Sequence, residues 1–561
     1  MTNAMEIARE RQLDWLLDEV LRPVATGALT RRAPASTGRW LAAAIAVFAV
    51  GIAIAVAVLE RSDVNGVAPV LPPPRDSLQD PDAIDWHECH GVGGLDAVPA
   101  DVVGLRCFDF DDDGLARLVR FSKLVRLDLS GMDTNAQGFA TSLPITDAGV
   151  KHLAALTQLR WLSLASCHSV EGETLAQLRA IPRLEHLDLT YTGITSKGVG
   201  QLRELPSLRA LVLSYCLAFH GRSLADVAKI PGLRRLELNG CATVSAKDAM
   251  HLAGLRELRH LDLRDCMGRF RGQTAAVAVL DDVTGEDPEP PPMHDGVGIT
   301  DDVVAALSEL PLETLRLGGC SALTDGIAPS IAKLTALRTL DLSSLPKTSG
   351  ALLARVPNDL VALVVGHNPQ HDIAALARLP ALADLHTFGL SGFDPSPIDV
   401  MRLLQHKQLR CLRLGGMPAR GKGGERTKSP PLTAEIAAEI AKQETLEELE
   451  LRDRDVLEAD AMARIAALPR LRVLDLTAPL QRPPLDRGAA VAALADNRSI
   501  QELRLIWCGL DADSLRALAE LPLRQLDVYG SGLDNEVVRE IAAAWPGCQV
   551  RLPKGQRYRV P

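Results

Sequence analysis

Residues 208–216 read LRALVLSYC, residues 233–241 read LRRLELNGC and residues 258–266 read LRHLDLRDC. All three have leucine at positions one, four and six and cysteine at position nine, and their starts lie 25 residues apart. Side chains at positions four and six point to the same side of an extended strand, because successive side chains alternate between its faces. Each stretch therefore predicts a short strand with a leucine face, and the regular spacing predicts stacked repeats.

The same nine-residue pattern recurs through most of the 561 residues, in about sixteen copies. A stretch such as DAGVKHLAALTQ (147–158) lies between two copies and is typical of a short return helix. One repeat cannot bury its own apolar edge, so the stacking of neighbours builds the core. The copies start at Leu105 (a degenerate one, with Phe108 and Phe110), Leu124, Leu159, Leu184, Leu208, Leu233, Leu258, Leu312, Leu337, Leu360, Leu382, Leu409, Leu446, Leu471, Ile500 and Leu523.

The pattern resembles the cysteine-containing leucine-rich repeats of F-box substrate receptors and of many bacterial proteins. The segments ITDAGVKHL (145–153), GITSKGVGQL (193–202) and GITDDVVAAL (298–307) are similar to the helix that follows the strand in those repeats. The resemblance covers residues 102–550. It implies an α/β fold, a curved solenoid with short parallel strands on the concave face and helices on the convex face. The ninth-position cysteines are Cys167, Cys216, Cys241, Cys266, Cys320 and Cys508.

An apolar stretch precedes the repeats. Residues 41–59 read LAAAIAVFAVGIAIAVAVL, and a helix of this length covers about 28 Å, close to the roughly 30 Å core of a bilayer. Cations near it are in excess on the N-terminal side (Arg22, Arg31, Arg32 and Arg39 before it, Arg61 and Arg75 after it). The positive-inside rule therefore predicts a single-pass protein of the cell membrane, with a cytoplasmic N-terminus and the repeats outside the cytoplasm. A buried helix or a signal peptide is the alternative interpretation.

The remaining segments differ in composition. Residues 60–84 are rich in proline and favour an extended tether. The three inserts that break the repeat period are expected to be loops between repeats. The predicted order is a cytoplasmic tail with a short amphipathic helix (1–40), the span (41–59), the tether (60–84), an N-terminal cap (85–101), the repeats (102–550, with inserts at 131–145, 268–297 and 417–432) and a C-terminal tail (551–561).

Charge and cysteine content exclude some classes of partner and fold. The chain has 61 basic and 71 acidic residues, a net charge of −10, whereas a nucleic-acid partner requires a cationic face. Ten cysteines are too few for a disulfide framework in a chain of this length. Ninth-position cysteines on neighbouring repeats would lie about 5 Å apart, within reach of a disulfide. We expect instead that they are buried thiols bonded to loop backbone.

One acidic motif begins like a calcium loop. FDFDDDG (108–114) supplies Asp109, Asp111 and Asp113, but the twelfth position, which should carry a bidentate carboxylate, is Arg120. We therefore expect an acidic turn rather than a calcium site.

A second motif could supply zinc ligands. WHECHG (86–91) contains His87, Cys89 and His90, but no fourth ligand follows at a spacing typical of zinc sites. The chain also has no serine-hydrolase or nucleotide-binding motif. We expect an irregular cap here, no metal, no cofactor and no enzymatic activity.

Charged side chains recur at two positions of the repeat. Position five is acidic in many copies and position two is arginine in many copies, which predicts a solvated ladder of surface ion pairs, each worth about 0–1 kcal/mol. On this prediction, Asp262→Ala costs less than about 1 kcal/mol, and Asp475→Ala together with Arg472→Ala leaves partner binding unchanged. The acidic positions are Asp128, Asp188, Glu237, Asp262, Asp341, Glu450, Asp475 and Asp527, and the basic ones are Arg160, Arg209, Arg234, Arg259, Arg338, Arg410, Arg472 and Arg524.

The residues that depart from this plain pattern are the candidates for recognition. They concentrate much of the scarce aromatic and imidazole content of a chain with only six Trp and four Tyr. Aromatic and arginine side chains are enriched where protein interfaces gain most of their energy. The candidate protein-binding residues are Trp161, His186, Tyr191, Tyr215, Arg235, His260 and Arg264.

These observations favour a membrane-anchored leucine-rich repeat protein that binds a protein partner through its concave surface. One alternative is a signalling relay whose cytoplasmic output is residues 1–22. A metal-dependent enzyme built on His87, Cys89 and His90 is a further alternative.

Overall fold

The computed structural model describes residues 86–560, apart from 132–143, 217, 242, 267–297, 367–375, 377–378, 380–381, 390–400, 402–403, 405–408, 417–433, 453–456 and 479–484. They belong to one unit, Trp86–Pro561. The predicted tail, span and tether (1–84) lie outside the described residues, as does most of each insert. In the described part of the chain no helix is long and apolar enough to cross a bilayer.

In the residues that the structure describes, one long sheet of nineteen strands organises the fold. A separate pair, β16 (Leu485–Asp486) and β18 (Cys508–Gly509), lies outside the long sheet. The strands of the long sheet are β1 Trp86–His90, β2 Gly104–Phe108, β3 Arg126–Gly131, β4 Trp161–Ser163, β5 His186–Asp188, β6 Ala210–Val212, β7 Arg235–Glu237, β8 His260–Asp262, β9 Thr314–Arg316, β10 Thr339–Ser343, β11 Ala362–Gly366, β12 Asp384–Gly389, β13 Cys411–Gly416, β14 Glu448–Leu451, β15 Val473–Asp475, β17 Glu502–Arg504, β19 Gln525–Asp527, β20 Gln549–Arg551 and β21 Arg557–Arg559.

Neighbouring strands pair in parallel and in chain order. The fourth-position leucines stand side by side, so that Leu187 pairs with Leu211, Leu211 with Leu236 and Leu236 with Leu261. Only β21 runs antiparallel, against β20, and it closes the C-terminal end of the described sheet. The fold is therefore an α/β leucine-rich repeat with one long parallel sheet, as the leucine period predicts.

Short helices return the chain from one strand to the next. Many begin at a Ser, Thr or Asp whose side chain accepts a backbone N–H of the first turn, as Thr195 and Ser349 do. The α-helices are Asp112–Arg117, Asp147–Val150, Ser196–Gln201, Leu224–Val227, Ala246–Ala249, Asp301–Leu307, Ala328–Lys333, Gly350–Leu353, Ala434–Ala441, Ala459–Ala466, Gly488–Ala492, Ala512–Arg516 and Asn535–Ala542. The 3₁₀ helices are Val92–Ala97, Leu118–Arg120, Lys151–Ala155, Leu175–Ala180, Leu202–Glu204, Gly221–Ser223, Met250–Gly254 and Asp325–Ile327.

Carboxylates on these return segments tie one repeat to the next. Asp147 accepts the backbone N–H groups of Glu171, Gly172 and Thr174, at 2.8, 3.1 and 3.0 Å. Asp325 likewise accepts the N–H of Ser349 at 2.7 Å. The bonds satisfy backbone amides just before the return helices Leu175–Ala180 and Gly350–Leu353, and they join neighbouring repeats.

The first repeats begin at other residues than the sequence predicted. Leu105 pairs with Leu127, the fourth-position leucine of the next repeat, so the copy begins at Val102 rather than Leu105. The segment predicted as an irregular cap contains β1, which pairs in parallel with β2 along all five of its residues. Sequence matching missed β1 because His87 and Cys89 replace the usual leucines at positions four and six.

Candidate functional site

The sheet has one outward face, made by positions three and five of each repeat. Leucines at positions one, four and six are buried in one continuous core, as predicted. Because side chains alternate along a strand, positions three and five lie on the other side of the sheet. Parallel register then aligns them in columns, and the third-position column runs Trp161, His186, Ala210, Arg235 and His260.

Three aromatic side chains meet at the N-terminal end of this face. The ring of Trp161 stacks on that of His186, with centroids 5.3 Å apart and planes 10° from parallel. Trp86 meets Trp161 edge to face at 5.8 Å, although they belong to strands that are three places apart. Gly104 and Arg126 occupy the third position on the two strands between them, and Gly104 has no side chain to fill its part of the space. We call Trp86, Trp161 and His186 the aromatic cluster.

The surroundings of the aromatic cluster keep its imidazole uncharged. Burial lowers the pKa of His186 to about 4, and the nearby Asp188 opposes this only in part. The guanidinium of Arg106 lies 5.0 Å from the Trp86 ring and bonds to Asp128 at 3.0 Å. The cluster therefore presents apolar rings beside one fixed cation, the composition that protein-binding surfaces favour.

The two tyrosines do not belong to this cluster. Tyr191 and Tyr215 stand at position eight, beyond the strand, with φ angles of 55° and 57°. Their rings stack at 4.8 Å, and a Cβ at Gly240 would lie 2.4 Å from the Tyr215 ring. Gly240 is thus required twice, for its φ of 73° and for the ring above it. The stack borders the sheet face, and burial raises the pKa of Tyr215 to about 12.

The remaining candidates are held in side-chain bonds on the sheet face. Arg235 lies 2.8 Å from Glu237, and both side chains are largely buried. Arg264 bonds to Asp262 at 2.7 Å, and the His260 ring nitrogen Nδ1 lies 3.1 Å from the Thr314 hydroxyl. The structure therefore separates the seven candidates into the aromatic cluster, the tyrosine stack and a set of buried polar contacts.

The ladder of surface ion pairs predicted between positions two and five is wrong. The two positions differ in parity and so lie on opposite sides of the strand. Arg160 pairs instead with Glu185 of the next repeat at 2.9 Å, and Arg209 donates to the backbone carbonyls of Leu208 and Pro231. The removal of a fifth-position carboxylate therefore does not simply break a surface ion pair with position two.

Seven of the eight fifth-position carboxylates are buried, all except the half-buried Asp527, and the aspartates among them shape the turn after the strand. Asp188 accepts from both the backbone N–H and the hydroxyl of Thr190, at 2.9 and 2.6 Å. Asp341 and Ser343 make the same two bonds. The sequence could have indicated these bonds, since a serine or threonine stands two residues after each of these aspartates. Asp262 is only 2% exposed, which contradicts the prediction that its loss costs little.

A larger ionic cluster lies on the face of β13, β14, β15 and β17. Asp475 lies 2.9 Å from Arg452 and 3.3 Å from Arg504, and Arg504 also reaches Glu450 at 3.5 Å. Burial would raise the pKa of Glu450, but Arg413, Arg452 and Arg504 outweigh it and lower that pKa. We call Arg413, Glu448, Glu450, Arg452, Asp475 and Arg504 the ionic network.

The ninth-position cysteines are buried thiols, as expected. The sulfur of Cys216 donates to the Leu189 carbonyl at 3.0 Å, and Cys241 and Cys266 repeat the bond to the preceding repeat at 3.1 and 3.2 Å. None of the ten cysteines is paired in a disulfide in the described structure. Burial raises the pKa of Cys241 and Cys266 well above the ordinary value, so both stay protonated.

The two candidate metal motifs have structural roles. Asp111 caps the helix Asp112–Arg117 by accepting the Gly114 N–H at 2.8 Å. His90 stacks on Phe108, whereas Cys89, on the other side of the same strand, is buried in the core. Across the described ranges of the chain, no three His, Cys, Asp or Glu side chains are grouped as metal ligands.

Comparison with known proteins adds only distant likenesses. No protein-family model and no curated protein sequence matches this chain. An internalin from Listeria monocytogenes is 15% identical, with a TM-score of 0.30 over 74% of this chain and 87% of that one. A leucine-rich repeat protein from Leptospira interrogans is 18% identical, with a TM-score of 0.33 over 80% and 90%. A chain from the complex of Rad7 and Elc1 in yeast is 17% identical, with a TM-score of 0.37 over 71% of this chain and 78% of that one. The fold assignment rests on the strand register instead.

Proposed function

We propose that this chain is a membrane-anchored leucine-rich repeat protein, without enzymatic activity, that binds a protein partner through the outward face of its sheet. The aromatic cluster carries the proposal. Trp86 and Trp161 have no role in the leucine core, yet the fold brings them together on the outward face of the sheet. Large rings beside an arginine supply the apolar area and the donors that interface centres use.

The partner can be identified directly. Chemical crosslinking in native membranes, followed by mass spectrometry of the captured proteins, should recover one dominant protein. Its crosslinked sites should lie on strands β1 to β5. Crosslinks confined to the helical side of the repeats would contradict the proposed surface.

Trp161→Ala should weaken binding of that partner at least tenfold, about 1.4 kcal/mol. Trp161 holds the centre of the cluster, because it contacts both His186 and Trp86. The measurement is the dissociation constant of the purified full chain with the partner found by crosslinking. Arg235 is left intact because its removal would take an ion-pair partner from the buried Glu237.

Trp507→Ala is the matched control. Trp507 also makes an edge contact with an aromatic ring, that of Tyr529, but it lies near the other end of the sheet. This variant should bind the partner with unchanged affinity. Equal losses in the two variants would show that the aromatic cluster is not the binding centre.

We also propose that residues 41–59 span the cell membrane and that residues 60–561 lie outside the cytoplasm. The support is the uncharged apolar stretch and the excess of arginine before it. Proteinase K added to spheroplasts should digest the repeats and spare a small N-terminal fragment, while a cytoplasmic marker stays intact. If the repeats are degraded only after detergent treatment, the opposite orientation holds.

A further inference from the structure

The first two repeats carry cysteine where the next repeats carry leucine. Cys89 and Cys107 occupy position six of β1 and β2, whereas Leu129, Leu164 and Leu189 fill that position in the next three repeats. The two cysteines are direct partners in the parallel register, and both are buried. They are distinct from the ninth-position cysteines, whose thiols donate to backbone carbonyls of the preceding repeat.

The register places these two thiols within reach of each other. Neighbouring strands lie about 4.8 Å apart, inside the roughly 4.4–6.8 Å between Cα atoms that a disulfide allows. Such a bond also needs Cβ atoms about 3.5–4.5 Å apart, which requires one strand to move slightly toward the other. β1 can make that movement, because in the described part of the chain it is paired on one side only.

Inner cysteine pairs are placed differently. Cys216 and Cys241 follow β6 and β7, which are each paired on both sides. Their sulfurs are engaged at 3.0 and 3.1 Å with carbonyls of the preceding repeat. Movement of either toward the other would break these bonds. The Cys89 sulfur donates to the Gly91 carbonyl of its own repeat, at the longer distance of 3.6 Å.

The two thiols differ in their readiness to react. Burial raises the pKa of Cys107 far above its ordinary value, with small additions from Cys89 and Asp128. Burial also raises the pKa of Cys89, but the guanidinium of Arg120 opposes it. Because the thiolate is the attacking species, Cys89 is the residue that attacks first.

We propose that Cys89 and Cys107 form a disulfide that fastens the first strand to the second, through exchange with a low-molecular-weight or protein disulfide. The Cys89 thiolate attacks the external disulfide, one sulfur of which leaves as a thiolate and takes up a proton. The Cys107 thiol then gives up its proton as its sulfur attacks the Cys89 sulfur, and the second external sulfur leaves as a thiolate that takes up a proton. Two cysteine thiols are oxidised by two electrons, and the external disulfide is reduced to two thiols.

The bond would act on the edge of the binding face. Trp86 begins the strand that Cys89 belongs to, and it meets Trp161 at 5.8 Å. A covalent link from β1 to β2 therefore holds Trp86 in the aromatic cluster. The chemistry of the pair does not depend on the proposed partner or on the proposed location.

The chain is well suited to a direct test. Trypsin cleaves after Arg75, Arg106 and Arg117, so Cys89 and Cys107 lie on separate peptides, 76–106 and 107–117, each with one cysteine. The purified full chain is incubated in its native state with oxidised glutathione, then denatured with N-ethylmaleimide and digested without reductant. The two peptides should appear linked, two hydrogens lighter than their sum, and the other eight cysteines should carry the maleimide.

Two variants sharpen the result. Cys107→Ser should leave no linked peptide, whereas Cys241→Ser should retain it. Amide hydrogen exchange within β1 should be at least tenfold slower in the oxidised protein than in the reduced one. Maleimide on both cysteines of the oxidised native chain, glutathione retained on Cys89, or a link from Cys89 to another cysteine would each overturn the proposal.

Discussion

Asp475→Ala should lower the free energy of unfolding by about 3–5 kcal/mol, the loss expected when one partner of a buried ion pair is removed. Asp475 is 0% exposed and lies within 3.3 Å of two arginines, Arg452 and Arg504. It also accepts the backbone N–H and the hydroxyl of Thr477, at 2.9 and 2.6 Å. The substitution leaves two guanidinium groups short of a counter-charge and one turn without its acceptor. Equilibrium urea unfolding of the purified full chain measures the loss.

Asp513→Ala is the matched control, because it removes the same side chain from an exposed pair. Asp513 is 94% exposed and lies 2.9 Å from Arg516 on the same helix. Such a pair contributes about 0–1 kcal/mol. Asp475→Asn should lie between the two, since the amide oxygen still accepts from Thr477 but carries no charge. Equal effects of the two alanine variants would mean that water reaches the ionic network.

The strands were predictable because one simple chemical pattern specifies them. Leucine at positions four and six gives each strand an apolar side, and the same leucines stand side by side in the sheet, as Leu211 and Leu236 do. The ninth-position cysteine was equally informative. A small apolar thiol with a weak donor suits a buried turn beside a backbone carbonyl, and Cys216 occupies such a place.

The strands at the two ends of the sheet could not be predicted in this way. In β1, His87 and Cys89 stand where leucines are expected, and only the neighbouring strand shows that they are in register. At the other end, β21 (Arg557–Arg559) pairs antiparallel with β20 and follows no leucine pattern. Within the described ranges each end strand is paired on one side only, so its sequence is less constrained by the pattern that stacking imposes.

The sequence named candidate residues for the site but did not show how they are grouped. Trp161 and His186 were among these candidates, whereas Trp86 was not, and it meets Trp161 across the strands of Gly104 and Arg126. Alternation correctly placed Asp262 on the outward side of its strand. It does not follow that an outward side chain is exposed, because Arg264 and Arg316 cover that carboxylate from the same and the next strand. Contacts between neighbouring repeats decide burial, and they are absent from any single repeat.

Leu236→Ala should also lower the free energy of unfolding, by about 2–5 kcal/mol. The cause here is lost apolar packing, whereas in Asp475→Ala it is a lost charge. Leu236 is 0% exposed and stands at position four of β7, between Leu211 and Leu261. Truncation removes apolar contacts with both neighbouring repeats and leaves a cavity that the close-packed core cannot fill. No charge or hydrogen bond is lost, so the cost should be independent of salt, whereas the cost of Asp475→Ala should fall at high ionic strength.

Met250→Ala provides the comparison, since it truncates an apolar side chain of similar size that is 45% exposed. Its loss should change the free energy of unfolding by less than about 0.5 kcal/mol. Urea unfolding of the three full-length proteins, at low and high salt, measures both the size and the origin of the effects. If Leu236→Ala and Met250→Ala proved equally mild, position four would not face the core. The strand register would then need another explanation, because it is the fourth-position leucines that align from β3 to β10.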